Sequence, residues 1–594
     1  MPLKLLFFTP HAAIWPHTAP EAYLARALAE TGHRIIYLTC GQAQSYCAPM
    51  SAHGLGPGCP VEQSASICAQ CRSSVEAIRR VYRFPIDTLS NYLADHDYRR
   101  IDELAAHAVA DKFLDTAFLG VRVGRLALYE LTLCHKKMST TLTKEQWDDY
   151  GVYLVNALRS LQGFARYLDA NPADAILTFS PQYSNINPCT QYAINKGFRV
   201  LFLENGNNLS HRLGTLRIWD WRVHQLVNPA LRYWVKSSLH PVSSSSANKI
   251  VGHFRQLLSG QHFAVYSAPS DGGCDLRSRW GIQPEQRILL MTLSSYDEAY
   301  AALLINAFPK KKVFSDVFRT QAEWVRATLA WIANRPDLFL VIRIHPRDFP
   351  NKREAMRSEQ SFQLEKQLRD LPSNAHVNWP SETISLYQIL ESTSVVVTGW
   401  SVTGVEALAL GIPVVTYDAE LPSYPRDIHY TGRTQEEYFA NIDKALSEGW
   451  RLENSIHGFR WMAYNFITCT ATVSNHFGRY ELRSLNSLHK LWKRICMRLK
   501  TKLQFITYPL DLLRWHDASD ASVIVSRMLM QGHDAIPSAR PTEDQREDRD
   551  NEMTVVLRSL ALLHRLLDQH TGSANEAGGL SHNIQQALMR SERK

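Results

Sequence analysis

The chain contains no run of about 18 uninterrupted apolar residues, the length that a membrane-spanning helix requires. Its first apolar run, Leu3 to Phe8, carries an internal lysine and no small-residue cleavage site follows it. This run therefore indicates a first strand rather than a signal peptide. A sequence repeat of fixed period is also missing. We expect a cytoplasmic protein built from ordinary globular domains.

Cysteine is sparse: ten residues in 594 exclude the disulfide framework of a small secreted domain. The first strand-to-helix loop lacks the Gly-x-Gly-x-x-Gly fingerprint, which argues against a dinucleotide-dependent enzyme. The formal net charge of +8 is a modest surplus that favours anionic partners such as nucleotides, acidic glycans or lipid surfaces. Because no nucleic-acid-binding motif accompanies the charge, nucleic acid is not an expected partner.

The length predicts two or three domains, and 45% hydrophobic residues are ample for their cores. Strand and helix patterns alternate in two regions, which predicts two Rossmann-like α/β domains with mostly parallel sheets, a helical insert and a helical C-terminal extension. The expected divisions are an N-terminal α/β domain with cysteine-rich and helical inserts at 1–235, an interdomain stretch at 236–287, a second α/β domain at 288–447, a helical extension at 448–536, and a charged linker with a terminal helix at 537–594.

The strand FLVIRIHPRD in the second α/β region ends in cationic side chains. Side chains alternate along a strand, so Arg343 and His345 are expected on the same side. Together they could grip phosphate oxygens, and a protonated His345 could stabilise a phosphate leaving group as its charge develops. The alternative is a structural histidine near a loop.

A second junction, SVVVTGWSVTGVEALALG, combines a strand, a loop of small residues and a helix. Ser401 and Thr403 can donate hydroxyl hydrogens, and the helix opens at Gly404 with Glu406 in its first turn. Glu406 could accept hydrogen bonds from a ribose diol or simply complement the helix dipole. Parallel sheets bind ligands at the carboxyl ends of their strands, so the two junctions together predict a pocket for an activated phosphate.

With these motifs the chain resembles a GT-B glycosyltransferase, and more narrowly the capsule polysaccharide biosynthesis proteins, which include transferases of acidic sugars. The resemblance covers about Leu289 to Tyr417 and rests on MTLSSYDEAY, the His-Pro pair and the S-x-x-G-x-E-A-L-x-x-G-x-P-V pattern. It implies a donor nucleotide sugar in the C-terminal domain and an acceptor glycan against the N-terminal domain. The sequence departs from the family at Gly399-Trp400, where a Ser-Ser or Ser-Thr pair is more usual. The matching motif positions are Ser294, Ser295, Asp297, Glu298, His345, Ser401, Thr403 and Glu406.

The two acids Asp297 and Glu298 are expected in a loop after a strand, where either could act as general base on an acceptor hydroxyl. Solvation without a catalytic role is the alternative. In the N-terminal half, polar residues at other strand ends are candidates for the acceptor side of the cleft, with plain turn residues as the alternative. These are His11, His17, Tyr183, Asn185, Glu204 and Asn205.

Half of the cysteines lie between Cys40 and Arg72, in a stretch rich in Gly, Pro and Ser that predicts irregular structure. Four of them, Cys47, Cys59, Cys68 and Cys71, could bind a structural zinc ion and order this stretch; free thiols are the alternative. No cofactor is expected for the chemistry itself.

The stretch Leu485 to Leu503 has apolar residues at helical spacing among six lysines and arginines, and no acid occurs between Arg483 and Pro509. Such a basic amphipathic helix is typical of a membrane-surface element, which would place the protein peripherally on the inner face of the plasma membrane. A helix packed on the protein with its basic side solvated is the other reading of the pattern.

The residues and the resemblance together predict transfer of a sugar from a nucleotide sugar to a growing capsule or other surface polysaccharide, free or lipid-linked. A CMP-linked acidic sugar is slightly favoured over UDP-linked donors. Transfer of a polyol phosphate from a CDP-activated donor is an alternative, as is a non-catalytic glycan-binding or export subunit. The presence of Arg343, His345, Ser401 and Glu406 favours an enzyme over the latter.

Overall fold

The computed structural model describes residues 2–108, 112–223, 228–260, 266, 275–351, 355–474, 508–509, 512–513, 520–540, 551–571 and 579–592. It confirms two α/β domains with parallel-dominated sheets that face a cavity, a helical insert in the first domain and helices in the C-terminal extension. Among the described residues, no helix has the length and apolar character needed to cross a membrane.

The first sheet has the strand order β13-β6-β5-β4-β1-β2-β3 and is parallel except at its β6 and β13 edge. Its central strands are buried and rich in Leu, Ile and Phe, as expected for strands covered on both faces. The strands are Lys4–Phe8 (β1), Arg34–Thr39 (β2), Ile86–Thr88 (β3), Ala175–Phe179 (β4), Arg199–Asn205 (β5), Thr215–Asp220 (β6) and Ala471–Thr472 (β13).

The second sheet is parallel throughout, with the order β12-β11-β10-β7-β8-β9. Its strand order reverses between β7 and β10, and the crevice outside the carboxyl ends of two such strands is where doubly wound sheets bind ligands. The strands are Arg287–Thr292 (β7), Leu338–Arg343 (β8), Ala375–Asn378 (β9), Thr393–Thr398 (β10), Val414–Thr416 (β11) and Tyr430–Thr431 (β12).

Helices cover both sheets and form the insert and the extension. They are Trp15–Glu30 (α1), Ala48–Ala52 (α2), Val61–Tyr82 (α3), Asp95–Ala106 (α4), Val123–Leu126 (α5), Leu128–Cys134 (α6), Lys144–Ala170 (α7), Asn187–Asn195 (α8), Trp234–Ser237 (α9), Ser244–Ser259 (α10), Leu276–Trp280 (α11), Tyr296–Leu304 (α12), Gln321–Ile332 (α13), Glu359–Gln367 (α14), Leu386–Glu391 (α15), Thr403–Ala409 (α16), Gln435–Glu448 (α17), Leu452–Ala463 (α18), Ala521–Gln531 (α19), Ile536–Ala539 (α20), Glu552–Thr571 (α21) and Leu580–Glu592 (α22).

Several element boundaries differ from those expected. Helix α1 begins at Trp15, because Pro16 suits a first helical position, so His17 lies in the helix rather than in the preceding loop. Asp297 is likewise in the first turn of α12 and not in a loop. The cysteine-rich stretch contains the short helix α2 and the start of α3 at Val61, and the expected interdomain stretch contains the 16-residue helix α10.

The C-terminal extension returns to both domains. Strand β13 pairs antiparallel with β6, which adds an edge to the first sheet where only helices were expected. Helix α21 packs on α10 and α18, and Arg460 forms an ion pair with Glu552 at its start. The described part of the extension therefore supports the domains that border the cavity.

Candidate active site

A cavity of about 690 Å³ lies between the two domains. Its wall on the side of the second domain is formed by the carboxyl ends of β7, β8, β10 and β11, which include the reversal point of the strand order. Eight of the residues predicted for the donor pocket or the chemistry line this wall: Ser294, Ser295, Glu298, Arg343, His345, Ser401, Thr403 and Glu406. The structure thus brings the two predicted junctions together in one cavity.

His345 follows β8 and begins the helical turn 346–348. Its Nδ1 accepts a hydrogen bond from the backbone N–H of Arg347 at 3.2 Å. The neutral ring must then carry its proton on Nε2. Burial, with the positive charges of Arg347, Arg343 and Lys136, lowers the pKa of His345 to about 4, although Asp297 opposes this. The expectation of a protonated His345 is therefore corrected: near pH 7, without a bound anion, the ring is a neutral donor.

Arg343 also faces the cavity, but its guanidinium is engaged in the protein. Nη1 donates to Asn378 Oδ1 and to the carbonyl oxygen of Ile384, the latter at 3.1 Å. Burial lowers the pKa of Arg343 to about 10, so the group remains charged at neutral pH. It fixes the strand end and contributes a positive potential to the cavity.

Glu406 lies in α16 and is buried. Tyr387 donates its hydroxyl hydrogen to Glu406 Oε2 at 2.9 Å. Burial raises the pKa of Glu406 to about 7, although the Tyr387 hydrogen bond opposes this. The carboxyl group can consequently exist in either protonation state near neutral pH.

The loop before α16 is held by its own hydroxyl groups. Ser401 Oγ donates to Thr403 Oγ1 at 3.1 Å and accepts from the backbone N–H of Thr403. Gly404 is not on the cavity wall; a Cβ atom there would lie 2.2 Å from the hydroxyl oxygen of Tyr424. Its role in this structure is close packing rather than exposure to a ligand.

The structure separates the roles of the two acids on α12. Asp297 is 1% exposed, does not line the cavity, and accepts from Arg347 Nη2 at 2.8 Å and from Arg347 Nε at 3.1 Å. The side chain of Glu298 is 57% exposed and lines the cavity, 3.6 Å from Arg347 Nε. Of these two acids, only Glu298 faces the cavity.

None of the six residues predicted for the acceptor side lines the cavity. His11 packs with Glu21, Asn185 donates to Gln44, and Glu204 forms an ion pair with Arg217. His17 stacks on Phe179 at 4.3 Å, Tyr183 packs against Tyr129, and Asn205 is buried in β5. The contacts of these side chains are with other residues of the first domain.

The first domain instead contributes neighbours of the predicted residues. They are Tyr129, Gln182, Asn207, Leu209, Arg212 and Arg217. Arg217 is reached only through the antiparallel pairing of Glu204 with Arg217 across β5 and β6, which the sequence pattern does not reveal. The aromatic ring of Trp400 also lines the cavity and packs at 4.8 Å against Tyr296.

Zinc binding by Cys47, Cys59, Cys68 and Cys71 stays a prediction. Among the described residues no group of three or more His, Cys, Asp or Glu side chains could hold a metal ion. Burial raises the pKa of the Cys47 thiol well above its usual value, and the nearby thiols of Cys40, Cys71 and Cys68 raise it further. Half-buried thiols with raised pKa values, such as those of Cys47 and Cys71, are protonated at neutral pH and pack as small apolar groups. Cys59 was included because the stretch was expected to be irregular, but it precedes the helix that carries Cys68 and Cys71.

The expected basic amphipathic helix, Leu485 to Leu503, lies outside the described residues.

Comparison with known proteins gives likenesses of fold. No family model matches the chain, and no curated protein matches it by sequence. Similar solved structures include CalG4, the calicheamicin glycosyltransferase, at 14% identity over 79% of this chain and 95% of that one, with a TM-score of 0.25. KpsC of Thermosulfurimonas dismutans, a beta Kdo 2,4 transferase, is 12% identical over 51% of this chain and 83% of its own, with a TM-score of 0.28.

A third similar structure is UDP-GlcNAc 2-epimerase from Neisseria meningitidis bound to UDP-GlcNAc. It is 11% identical over 78% of this chain and 94% of its own, with a TM-score of 0.26. Glycosyltransferases are thus among the proteins of similar fold, but likenesses this distant do not bear on the activity of this chain.

Proposed function

We propose that the protein transfers a sugar from a nucleotide sugar to a glycan acceptor. The observation that carries this proposal is the neutral His345 donor on a cationic wall at the point where the strand order of the second sheet reverses. A phosphate group there would accept from Nε2 and would lie in the field of Arg343 and Arg347. Such a wall suits a leaving group that gains negative charge in the transition state.

In this reaction Glu298 takes the proton from an acceptor hydroxyl, whose oxygen forms a bond to the anomeric carbon of the donor sugar. The bond between that carbon and the phosphate oxygen breaks, and the phosphate leaves with the electron pair. His345 donates a hydrogen bond to the leaving phosphate. This assignment is supported because Glu298 is exposed to the cavity, whereas Asp297 forms a buried ion pair with Arg347.

Binding of the nucleoside would use other residues of the same wall. Glu406 is a buried carboxyl group in the cavity and, when ionised, could accept two hydrogen bonds from a ribose diol. Ser401 and Thr403 offer hydroxyl groups beside it. Trp400 provides an aromatic face for the base or the sugar.

Among donors, a CMP-linked acidic sugar stays slightly favoured over UDP-linked ones, because the cavity also contains Arg212 and Arg217 on its other side. The acceptor would be a capsule or other surface polysaccharide, free or lipid-linked. Transfer of a polyol phosphate from a CDP-activated donor would use the same His345 and hydroxyl groups, and is the second candidate function. It would attack phosphorus rather than an anomeric carbon.

The decisive experiment measures which nucleotides raise the melting temperature of the protein. A ligand that binds only the native state at about 100 times its Kd adds about 2.7 kcal/mol to the free energy of unfolding. We expect the four nucleotides CMP, UDP, CDP and GDP to separate clearly into those that raise the melting temperature and those that do not. A protein whose melting temperature responds to none of the four at millimolar concentration does not use a nucleotide-activated donor.

A further inference from the structure

The first domain reaches directly into the loop that carries His345. The end of α6 and the residues after it form a short segment, Leu133 to Met138, which packs against the second domain through main-chain and side-chain contacts. Arg347 Nη2 donates to the carbonyl oxygen of Leu133 at 3.1 Å. The backbone N–H of Glu359 donates to the carbonyl oxygen of Lys136 at 3.2 Å.

Lys136 is the centre of this contact. Its side chain is completely buried, and Nζ donates to the carbonyl oxygens of Arg347 and Met356, the latter at 2.6 Å. Its backbone has φ of +46°, a left-handed conformation that costs a residue with a Cβ atom on the order of 1 kcal/mol. Such a conformation persists only where surrounding contacts determine it. The segment is therefore fixed against the second domain rather than resting on its surface.

The charge of Lys136 reaches the cavity although its side chain does not line it. Together with Arg347 and Arg343 it opposes protonation of His345. The electrostatic interaction is mutual, so an anion bound at His345 would be stabilised by the same charges. Burial strengthens this effect, since little water screens a charge in the protein interior.

We propose that Lys136 is a positioning residue of the candidate active site, through which the first domain fixes the His345 loop and adds positive potential at the place where an anionic group of the ligand binds. This inference rests on the proposed function for the identity of the ligand. It adds that the anion site belongs to both domains: the second domain supplies the residues that touch the ligand, and the first supplies a charge behind them.

The test compares Lys136→Gln, which keeps N–H donors but removes the charge, with Lys136→Arg, which keeps the charge. Lys137→Gln is the matched control, because the neighbouring Lys137 forms a 2.8 Å ion pair with Glu359 in the same contact. The first readout is the titration of the His345 ring, followed by nuclear magnetic resonance. The groups that face this ring are Arg343, Arg347, Lys136 and Asp297, with the ring of Tyr266 beside it.

Removal of the Lys136 charge should raise the pKa of His345, whereas Lys136→Arg and Lys137→Gln should leave it nearly unchanged. The second readout is calorimetric affinity for inorganic pyrophosphate, UDP and CMP. For Lys136→Gln we expect roughly tenfold weaker binding, the effect of one charge on the order of 10 Å from the bound anion in a medium of effective dielectric constant about 20. A folded Lys136→Gln protein with an unchanged His345 titration and unchanged affinity would overturn the inference.

If Lys136→Gln does not fold, amine modification of the wild-type protein decides instead. Lys136 should stay unmodified under conditions that fully modify Lys444, whose side chain is 62% exposed. Modification of Lys136 at the rate of Lys444 would refute the fixed contact. Failure of the proposed function gives a different result: the wild-type protein would bind no nucleotide, while the His345 titration would still report on Lys136.

Discussion

Replacing His345 by Asn separates the two functions of this ring, which are to accept a hydrogen bond inside the loop and to donate one to a ligand. The ring lines the cavity and accepts from the backbone N–H of Arg347 through Nδ1, which leaves Nε2 as its donor. The Oδ1 atom of Asn can occupy the position of Nδ1, and Asn is a favoured residue at the start of a helical turn. His345→Asn should therefore keep the loop and lose only the donor, whereas His345→Ala should lose both.

The two losses have different magnitudes. Removing one preorganised donor to a developing negative charge typically lowers turnover by about 100- to 1,000-fold. Removing a capping acceptor typically costs about 1 kcal/mol in the free energy of unfolding. We expect both variants to lose turnover to the same extent, while only His345→Ala melts at a clearly lower temperature than the wild type at pH 8.

The pH dependence of stability gives an internal check. The pKa of His345 is lowered in the folded state, so the unfolded chain binds the proton more tightly, and stability falls as pH decreases from about 6.5 towards 4. His345→Asn lacks this loss and should gain relative to the wild type as the pH falls. The assays are turnover with the donor identified by thermal shift and melting temperature from pH 8 to pH 4.5. A His345→Asn protein with turnover within twofold of the wild type would refute the donor role.

Three further predictions follow from the same cavity and from the charged extension. Glu298→Gln should lower turnover at least 100-fold without a change in melting temperature, and equal turnover in this variant and the wild type would exclude Glu298 as the base. Asp297→Asn, in contrast, breaks a buried ion pair and should cost about 3 to 5 kcal/mol in the free energy of unfolding. Burial raises the pKa of Glu406 to about 7, so a ribonucleotide should bind more tightly at pH 8 than at pH 6. If the carboxylate binds the diol, the affinity for a 2′,3′-dideoxy analogue should not rise with pH, and neither should the affinity of the Glu406→Gln variant for the ribonucleotide. Because of the basic stretch Leu485 to Leu503, the protein should sediment with anionic liposomes at low salt and dissociate from them at high salt. Changing Lys493, Arg494 and Arg498 to Glu should abolish this sedimentation. A wild-type protein that does not bind such liposomes at low salt would refute the membrane role of the stretch.

The sequence predicted the wall of the second domain because that wall depends on local patterns. The β-branched run of β8 and the Val-rich run of β10 mark buried parallel strands, and the polar residues directly after them must lie at one edge of the sheet. His345 and Ser401 could be placed in one cavity on this basis alone. The start of α12 was missed, since its acids follow two serines that resemble a loop.

The wall of the first domain could not be predicted, because it depends on contacts between distant segments. Arg217 lines the cavity only because β6 pairs antiparallel with β5, and Lys136 approaches His345 from more than two hundred residues away in the chain. The helix that holds Cys68 and Cys71 was hidden for another reason. Its first turns, from Val61, are largely exposed and therefore carry no apolar periodicity.

The charges around His345 show what the site is prepared to bind. Arg343, Arg347 and Lys136 act on it together, and Asp297 is the acid that opposes them. Asp348 and Glu406 carry less negative charge at neutral pH than ordinary carboxylates, because burial raises the pKa of each to about 7. Buried like charges repel, so the site without a ligand costs stability, and an anion bound at His345 removes part of that cost. Stabilisation by inorganic pyrophosphate should therefore exceed that by an equal concentration of chloride or acetate, and equal shifts in melting temperature would mean that the cationic wall is merely a structural feature of the fold.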